Sequence, residues 1–251
     1  MNDEEKWIKF IRNQELLSIK KILSQHNGKK ILEIGGKDGY LAKILEEWGY
    51  EVISIDINPS SKYFSVKKMN AINLEFNNNS FDIIFSSQVI AHIKEKNLLF
   101  KEINRVIKNE GLIIHIVPSS WWSLITNFWH YILLSKTVYK KISIKSNVKE
   151  FTNKIENKQL LQKNRIKNLL FYHPLGSEKS FIFEIFKFSK KYWSKFFILN
   201  KYTIISEING PISYSGFSIF KNSGYKIRKV TAKQIPSSYI FVMKKLEKNK
   251  F

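Results

Sequence analysis

The stretch Ile31-Leu-Glu-Ile-Gly-Gly-Lys-Asp-Gly-Tyr-Leu41 decides the fold of this chain. Its apolar run ends at Gly35 and Gly36, which is typical of a short buried strand that leads into a turn. Beyond Gly39, apolar residues recur at helical spacing over two turns, and Gly49 predicts the end of that helix. The sequence therefore predicts a strand, a glycine turn and a helix whose N-terminus offers free N–H donors to a ligand.

A second strand is predicted over Glu51–Ile55, and Asp56 follows it directly. That carboxylate lies 17 residues after Gly39, close to the position at which an acidic residue binds ribose hydroxyls in nucleotide-binding βαβ units. The glycine spacing matches neither the dinucleotide motif G-x-G-x-x-G nor the phosphate-binding motif G-x-x-x-x-G-K-[ST]. A nucleotide ligand of another kind is therefore expected.

The pattern Glu33-x-Gly35-Gly36-x-x-Gly39 resembles the first motif of class I S-adenosylmethionine-dependent methyltransferases, commonly E/D-x-G-x-G-x-G. Lys37 stands where the family has its middle glycine, which is a departure from the pattern.

Residues 70–92 resemble a second family segment, written D-A…L-P-F…S-F-D-x-V…V-L-E-H. In the family the acidic residue and its neighbour hold the adenine. Asn70 replaces that acid here, and its side-chain carbonyl can still accept a hydrogen bond from the adenine amino group. Ala91 replaces the usual Glu, so no role is carried over to that position. The whole resemblance covers residues 31–118.

The resemblance implies S-adenosyl-L-methionine as cofactor and a Rossmann-like, doubly wound α/β fold with a mostly parallel seven-stranded sheet. The side chains implied to bind the cofactor follow the sheet strands: Glu33, Gly35, Gly36, Gly39, Asp56, Ile57, Asn70, Ala71, Ser86 and Ser87. A non-catalytic subunit that only binds through this fold is an alternative, because a fold alone does not fix function.

Three regions are expected along the chain. Residues 1–118 hold an N-terminal helix over residues 3–25 and the cofactor half of the core. Residues 119–200 form a helical, aromatic and Lys-rich insertion that caps the substrate, with a lid-like segment at residues 145–170. Residues 201–251 complete the sheet. Further strands are predicted at Phe81–Phe85, Leu112–Val117, Tyr202–Ile208 and Ser238–Met243, and helices at Lys94–Asn109 and residues 178–199.

The net charge of +21 is unevenly placed. Residues 1–118 carry 17 Lys+Arg against 15 Asp+Glu, whereas residues 119–251 carry 25 against 6. An anionic acceptor is expected to meet the cationic half, and a solvated Lys-rich surface is the alternative. The chain has no cysteine, which excludes disulfides and thiolate metal sites and suits a reducing cytoplasm. The acidic N-terminus does not resemble a signal peptide.

Residues 111–135 carry no charge and are rich in aromatic residues. Pro118 and His130 within this stretch argue against a membrane span. Lysines follow at positions 136, 140, 141 and 145, so an interfacial helix that touches anionic lipid at the inner membrane face is one interpretation. A helix that roofs the substrate pocket is the other.

The order His173…Gly176…Glu184…Trp193…Phe197, followed by Pro236–Lys244, resembles bacterial methyltransferases of cell-surface polysaccharide biosynthesis. It implies a small-molecule or glycan acceptor, anionic or lipid-linked. An RNA methyltransferase that uses the cationic half is the alternative.

A hydroxyl acceptor needs a general base. The candidates by residue type are His92, His115, His130, His173 and Glu184. His92 and His173 are better placed, at a strand-to-helix junction and in a loop, whereas His115 is expected in the core. The five histidines lack metal-ligand spacing, and no metal is expected.

Overall fold

The computed structural model describes residues 2–144, 176–177, 180–216, 220–221 and 223–246. The predicted lid-like segment at residues 145–170 and the candidate base His173 lie outside these residues. The described elements, in chain order, are α1 (Asp3–Gln25), β1 (Lys30–Ile34), α2 (Tyr40–Glu47), β2 (Glu51–Asp56), β3 (Val66–Lys68), β4 (Phe81–Ser87), a 3₁₀ helix (Ile90–His92), α3 (Lys96–Val106), β5 (Ile107–Pro118), α4 (Ser120–Ile144), α5 (Phe181–Lys187), α6 (Lys190–Leu199), β6 (Tyr202–Asn209), α7 (Tyr225–Thr231) and β7 (Ser238–Lys245).

The seven strands form one sheet in the order β3-β2-β1-β4-β5-β7-β6. Strands β1 to β5 pair in parallel, whereas β7 runs antiparallel to both β5 and β6. The α/β, mostly parallel seven-stranded sheet predicted from the sequence is confirmed. Because β1, β2 and β4 are neighbours, the loops that follow them meet at the carboxyl edge of the sheet, where ligands bind in open α/β folds.

Helices cover both faces of the sheet. On one face, α1 buries Leu16, Ile19 and Leu23 against the strands, beside Leu45 of α2. The predicted helix over residues 3–25 is confirmed, and Asn2 caps its start by accepting a hydrogen bond from the Glu5 backbone N–H at 2.8 Å.

The opposite face is covered by α3 and α6. Leu99 and Ile103 of α3 and Trp193 and Phe197 of α6 are fully buried there, together with Phe241 of β7. The Trp193 indole N–H also donates to the Pro118 carbonyl at 3.1 Å, which ties α6 to the end of β5. The insertion therefore contributes directly to the core of the sheet.

Two predicted helices have different bounds in the structure. The helix predicted at Lys94–Asn109 ends at Val106, because Ile107 is fully buried and pairs with Phe81 as the first residue of β5. Gly111, which follows the predicted helix, lies inside β5. Sheet pairing thus overrides the helical pattern, which continues past the last helical turn.

The helix predicted over residues 178–199 is two helices, α5 and α6. Phe188 is buried at the break, and the Ser189 hydroxyl accepts from the Tyr192 backbone N–H at 3.2 Å, which starts the second helix. The short strand β3 had no separate sequence signal. No helix in the described part of the chain is long and apolar enough to cross a membrane.

Candidate active site

Three adjoining cavities lie at the carboxyl edge of the sheet. The β2-edge cavity, of about 360 Å³, lies between the ends of β1, β2 and β4. The glycine-loop cavity, of about 530 Å³, shares Gly35 with it. The aromatic cavity, of about 590 Å³, is lined by α1, α4, residues 214–216 and Lys221. It shares Glu4, Ile8 and Arg12 with the glycine-loop cavity. The three volumes therefore meet through common wall residues.

The glycine loop follows β1 and packs tightly on its neighbours. Gly35 has φ +83°, and a Cβ at this position would lie 2.1 Å from Val89 Cγ2. A Cβ on Gly36 would lie 1.8 Å from Ser54 Oγ. Both backbone N–H groups donate to the Ile55 carbonyl, at 2.8 and 3.0 Å. Only glycine permits this close path, which leaves room for a ligand above the loop.

Lys37 occupies the left-handed region with φ +44°. This is the position at which the resembled motif has glycine, and the backbone adopts the conformation that a glycine favours. The departure from the motif therefore leaves the course of the loop intact. The Lys37 side chain is exposed.

Asp56 joins the glycine loop to the end of β2. Its Oδ2 accepts from the Lys37 backbone N–H at 3.1 Å, and its Oδ1 accepts from the Asn58 backbone N–H at 2.8 Å. The half-buried carboxylate also lines the β2-edge cavity. Because a carboxylate can accept about four hydrogen bonds, it retains capacity for two ligand hydroxyls.

The β2-edge cavity brings together most of the nucleoside-binding residues predicted from the sequence. Asp56, Ile57, Asn70 and Ala71 all line it, and Gly35 closes its inner end. The remaining wall is mainly apolar, formed by Ile34, Ile55, Met69, Ile72, Val89 and Ile93. The polar side chains of the wall are Asp56, Asn70, His92, Lys94 and Glu95. A mainly apolar cavity with a carboxylate and an amide at one side suits a purine nucleoside.

Glu33 lines the glycine-loop cavity from the end of β1. It is 3% exposed, and its Oε2 accepts from Ser54 Oγ at 2.5 Å. Burial raises the pKa of Glu33 to about 7, and the negative charges of Asp38 and Asp56 act in the same direction. A cationic group bound in this cavity would favour the ionised form of Glu33.

Ser87 and Gln88 follow at the end of β4. The Ser87 hydroxyl and the Gln88 side-chain nitrogen are buried and have no hydrogen-bond partner among the described residues. Gln88 also has φ +61°. Unsatisfied polar atoms and a strained backbone beside a cavity are features of ligand sites. Of the two residues, Ser87 lines the glycine-loop cavity, whereas Gln88 lines none of the three cavities.

Two of the predicted cofactor residues line none of the three cavities. The Ser86 hydroxyl bonds with His115 Nδ1 at 2.9 Å inside the protein, because alternate strand residues point to opposite faces. Gly39 has φ +76° and lies against the Phe64 backbone, where a Cβ would approach to 2.7 Å. Gly39 therefore shapes the loop on the side that faces Phe64. The Ser86 hydroxyl lies outside all three cavities.

Arg12 of α1 stands between two cavities, and sequence reasoning missed it. Its Nη1 donates to the buried Glu15 Oε2 at 2.6 Å, and its guanidinium lies 5.5 Å from the Tyr214 ring centroid. Glu15 Oε1 in turn accepts from Ser238 Oγ. The sequence did carry a signal for this pair. An Arg and a Glu stand three residues apart in a helix that buries an apolar face.

The aromatic cavity has indole and phenol walls. Trp7, Trp122, Trp129 and Tyr214 line it, and His130 is the histidine in its wall. The Trp122 and Tyr214 ring centroids are 6.2 Å apart. The Arg228 guanidinium lies 5.2 Å from the Trp7 ring centroid, so both this ring and the Tyr214 ring already face a guanidinium of the protein itself.

The candidate bases fall in different places. His92 borders the β2-edge cavity, and partial desolvation and the Lys96 charge lower its pKa. His115 is completely buried, which lowers its pKa to about 3, so the expected core position is confirmed. Glu184 is buried and accepts a hydrogen bond from the Gly176 backbone N–H. Of these side chains, His130 alone lies at the aromatic cavity.

Residues 32–115 match the family model described as "Methyltransferase domain". Over 116 residues the chain is 26% identical to phosphoethanolamine N-methyltransferase 2 of Caenorhabditis elegans. That match covers 41% of this chain and only 26% of the relative's length.

Solved structures match over nearly the whole chain. An S-adenosylmethionine-dependent methyltransferase of Archaeoglobus fulgidus matches with a TM-score of 0.53 and 13% identity, over 92% of this chain and 94% of that chain. A Listeria monocytogenes protein assigned to the same class matches with a TM-score of 0.54 and 14% identity, over 94% and 98%.

The fold is therefore that of the S-adenosylmethionine-dependent methyltransferases, and residues 32–115 are the part that matches the methyltransferase domain model. The cofactor of this class is S-adenosyl-L-methionine. The residues present fit it, because the glycine loop forms a cradle that a Cβ would fill and the buried Ser87 hydroxyl faces the same cavity.

Proposed function

We propose that this protein binds S-adenosyl-L-methionine across the β2-edge and glycine-loop cavities and methylates an acceptor held in the aromatic cavity. The observation that carries the proposal is the wall formed by Glu4, Ile8 and Arg12, which the donor and acceptor cavities share. A methyl group at this wall would face the acceptor directly.

Different residues would contact different parts of the cofactor. Asp56 would bind the ribose hydroxyls, and Asn70 would accept from the adenine amino group. Glu33 would pair with the ammonium of the methionine part, and Arg12 with its carboxylate. When bound, the cofactor supplies a methyl group on a sulfonium, whose leaving group is neutral. The protein then has to provide in-line placement in a dry site, worth up to about 7–11 kcal/mol.

The acceptor proposed here is a small molecule or glycan with an anionic group, such as a lipid-linked or nucleotide-linked sugar for the cell surface. Flat aromatic walls suit the apolar face of a ring, and the hydroxyl of Thr126 and the imidazole of His130 offer polar contacts. Arg12 and Arg228 already lie over two of the rings, so a further cation is disfavoured there and an anion is favoured. His130 is the base candidate at this position.

A phosphorylated amine is the second candidate acceptor. The name of the Caenorhabditis elegans relative specifies phosphoethanolamine, and the carboxylate of Glu4 in the wall of the aromatic cavity offers a partner for an ammonium group. The match to that relative spans only 41% of this chain, so it supports the cofactor site more strongly than the acceptor. RNA, drawn by the cationic half, is a third possibility that salt dependence would identify.

Calorimetry tests the cofactor site. We expect S-adenosylmethionine and S-adenosylhomocysteine to bind the full chain, and no binding at millimolar concentration would reject the enzymatic proposal. Transfer of labelled methyl to nucleotide sugars, phosphoethanolamine and RNA then separates the acceptors.

A pair of tryptophan variants tests the acceptor cavity. Trp129→Ala should raise the KM for the acceptor about tenfold or more while the cofactor Kd stays unchanged. Trp48→Ala is the matched control, because Trp48 is half-buried directly after α2, where the Lys20 ammonium lies over its ring. Equal acceptor KM values for the two variants would contradict the placement.

A further inference from the structure

Helix α4 has three distinct faces. Ser123 and Asn127 are buried against the protein. Trp122, Thr126 and Trp129 line the aromatic cavity. A third face points outward and is apolar: Trp121 is 42% exposed, Leu124 39% and Phe128 59%. The polar face of this helix is thus inside and an apolar face is outside, the reverse of an ordinary surface helix.

Helix α5 extends the exposed apolar surface. It packs against the start of α4, where the Ser120 hydroxyl donates to the Ile185 carbonyl and the Ser120 backbone N–H donates to the Phe188 carbonyl at 3.0 Å. Its own exposed side chains are 54–70% accessible. We call the set formed by both helices the apolar ridge: Trp121, Leu124, Phe128, Ile182, Phe183 and Phe186.

Positively charged residues are concentrated in the sequence around this ridge. Residues 180–201 contain five lysines, at positions 187, 190, 191, 195 and 201, and their one acidic residue, Glu184, is buried. In the sequence there is no acidic residue from 111 to 149, whereas lysines occur at 136, 140 and 141 within the span of α4. The apolar ridge therefore belongs to a cationic part of the chain.

We propose that the apolar ridge docks onto an anionic lipid surface, with the aromatic side chains at the headgroup level and the lysines facing lipid phosphates. Interfacial helices combine Trp and Phe with Lys. Each lysine near an anionic lipid surface adds about 1 kcal/mol of attraction. A second copy of this chain is a poorer occupant, because two cationic faces repel each other.

Docking would also position the acceptor site. The same helix that carries Trp121 and Phe128 outward carries Trp122 and Trp129 into the aromatic cavity. A lipid-linked acceptor could then enter the cavity without leaving the bilayer. This last step rests on the proposed function, whereas the lipid binding itself does not.

Vesicle flotation with the full chain tests the proposal. We expect the protein to float with vesicles containing about one third phosphatidylglycerol and to remain unbound with phosphatidylcholine alone. The double variant Trp121→Ser/Phe128→Ser should reduce the bound fraction about tenfold, and about 0.5 M salt should reduce binding of the unaltered chain. The control Leu98→Ser/Ile205→Ser removes side chains of similar exposure, 47% and 53%, on α3 and β6, and should bind like the unaltered chain.

Three results would overturn the proposal. The first is that the unaltered chain does not bind anionic vesicles. The second is that the ridge and control variants lose vesicle binding equally. The third is that the oligomeric state changes in the ridge variant alone, which would identify the ridge as a contact between copies of the chain. Calorimetry with S-adenosylmethionine on each variant reports whether the core is folded. Retained cofactor binding with lost flotation isolates the lipid contact from the methyltransferase proposal.

Discussion

The backbone N–H of Lys37 donates to Asp56 Oδ2 at 3.1 Å, so the carboxylate at the end of β2 holds the loop that follows β1. The same carboxylate lines the β2-edge cavity. One side chain therefore orders the cradle and faces the proposed ribose position, so ribose binding there would be coupled to the order of the loop.

Asp56→Ala should weaken S-adenosylmethionine binding about tenfold or more, because a charge-assisted hydrogen bond contributes roughly 1.5–3 kcal/mol. The loss of unfolding free energy should be about 1–2 kcal/mol, since Asp56 is half-buried and its two backbone donors can reach water. Calorimetry gives the affinity and urea denaturation the stability.

Asp82→Ala is the matched control for that variant. Asp82 accepts from the Lys29 and Lys30 backbone N–H groups, at 3.1 and 3.0 Å, near the start of β1 and β4. Its removal should cost a similar amount of stability and leave cofactor affinity unchanged. If both variants lost affinity equally, Asp56 would be acting only through general stability.

Glu33 should make the stability of the ligand-free protein depend on pH. Its pKa is raised from 4.5 to about 7, so the folded state binds more protons than the unfolded state between these values. The stabilisation is present below about pH 4.5 and is lost as the pH rises through about 7, a change of about 3 kcal/mol. Glu33→Gln should remove this loss, which urea denaturation at pH 5 and pH 8 would measure.

Cofactor binding should have the opposite pH dependence at Glu33. Ionised Glu33 pairs with an ammonium, so affinity should increase between pH 6 and pH 8 in the unaltered chain and remain nearly constant in Glu33→Gln. Calorimetry at the two pH values checks this. If the cofactor affinities of both proteins changed with pH in the same way, Glu33 would not contact the cofactor.

Lys37→Gly should keep cofactor affinity and leave stability within about 1 kcal/mol, because glycine relieves the left-handed strain at φ +44° while it raises the entropy of the unfolded chain. Lys37→Val should lose about 1–2 kcal/mol, since a β-branched residue is strained at positive φ. Thermal denaturation compares the two. Equal stabilities would mean that the loop changes its path to accommodate valine.

Arg12 and Glu15 should behave as a unit. Arg12→Met leaves the Glu15 carboxylate buried without its 2.6 Å partner and should cost about 3–5 kcal/mol. The double variant Arg12→Met/Glu15→Gln should recover much of that stability but not the cofactor affinity. A double-mutant cycle on both quantities measures the coupling. Full recovery of affinity would show that Arg12 acts only as the partner of Glu15.

The site residues close to the glycine motif were predictable because their chemistry depends on short spacing. Gly35, Gly36 and Asp56 lie at strand ends that the hydrophobic pattern predicts. The same pattern could not separate Ser86 from Ser87, because adjacent strand residues point to opposite faces and only the sheet determines which face is the cavity. Arg12 was missed because it belongs to no motif and reaches the cavity only through the packing of α1.

The sequence by itself determined the order of six of the seven strands, the glycine turn with its carboxylate, and the concentration of positive charge in the second half. These properties are local, since they follow from spacing, backbone conformation and composition. The tertiary structure decided where β5 begins, which face of α4 lines a cavity and which face is exposed, and that His130 rather than His92 stands in the aromatic cavity. Such features depend on contacts between distant segments, and no local pattern encodes them.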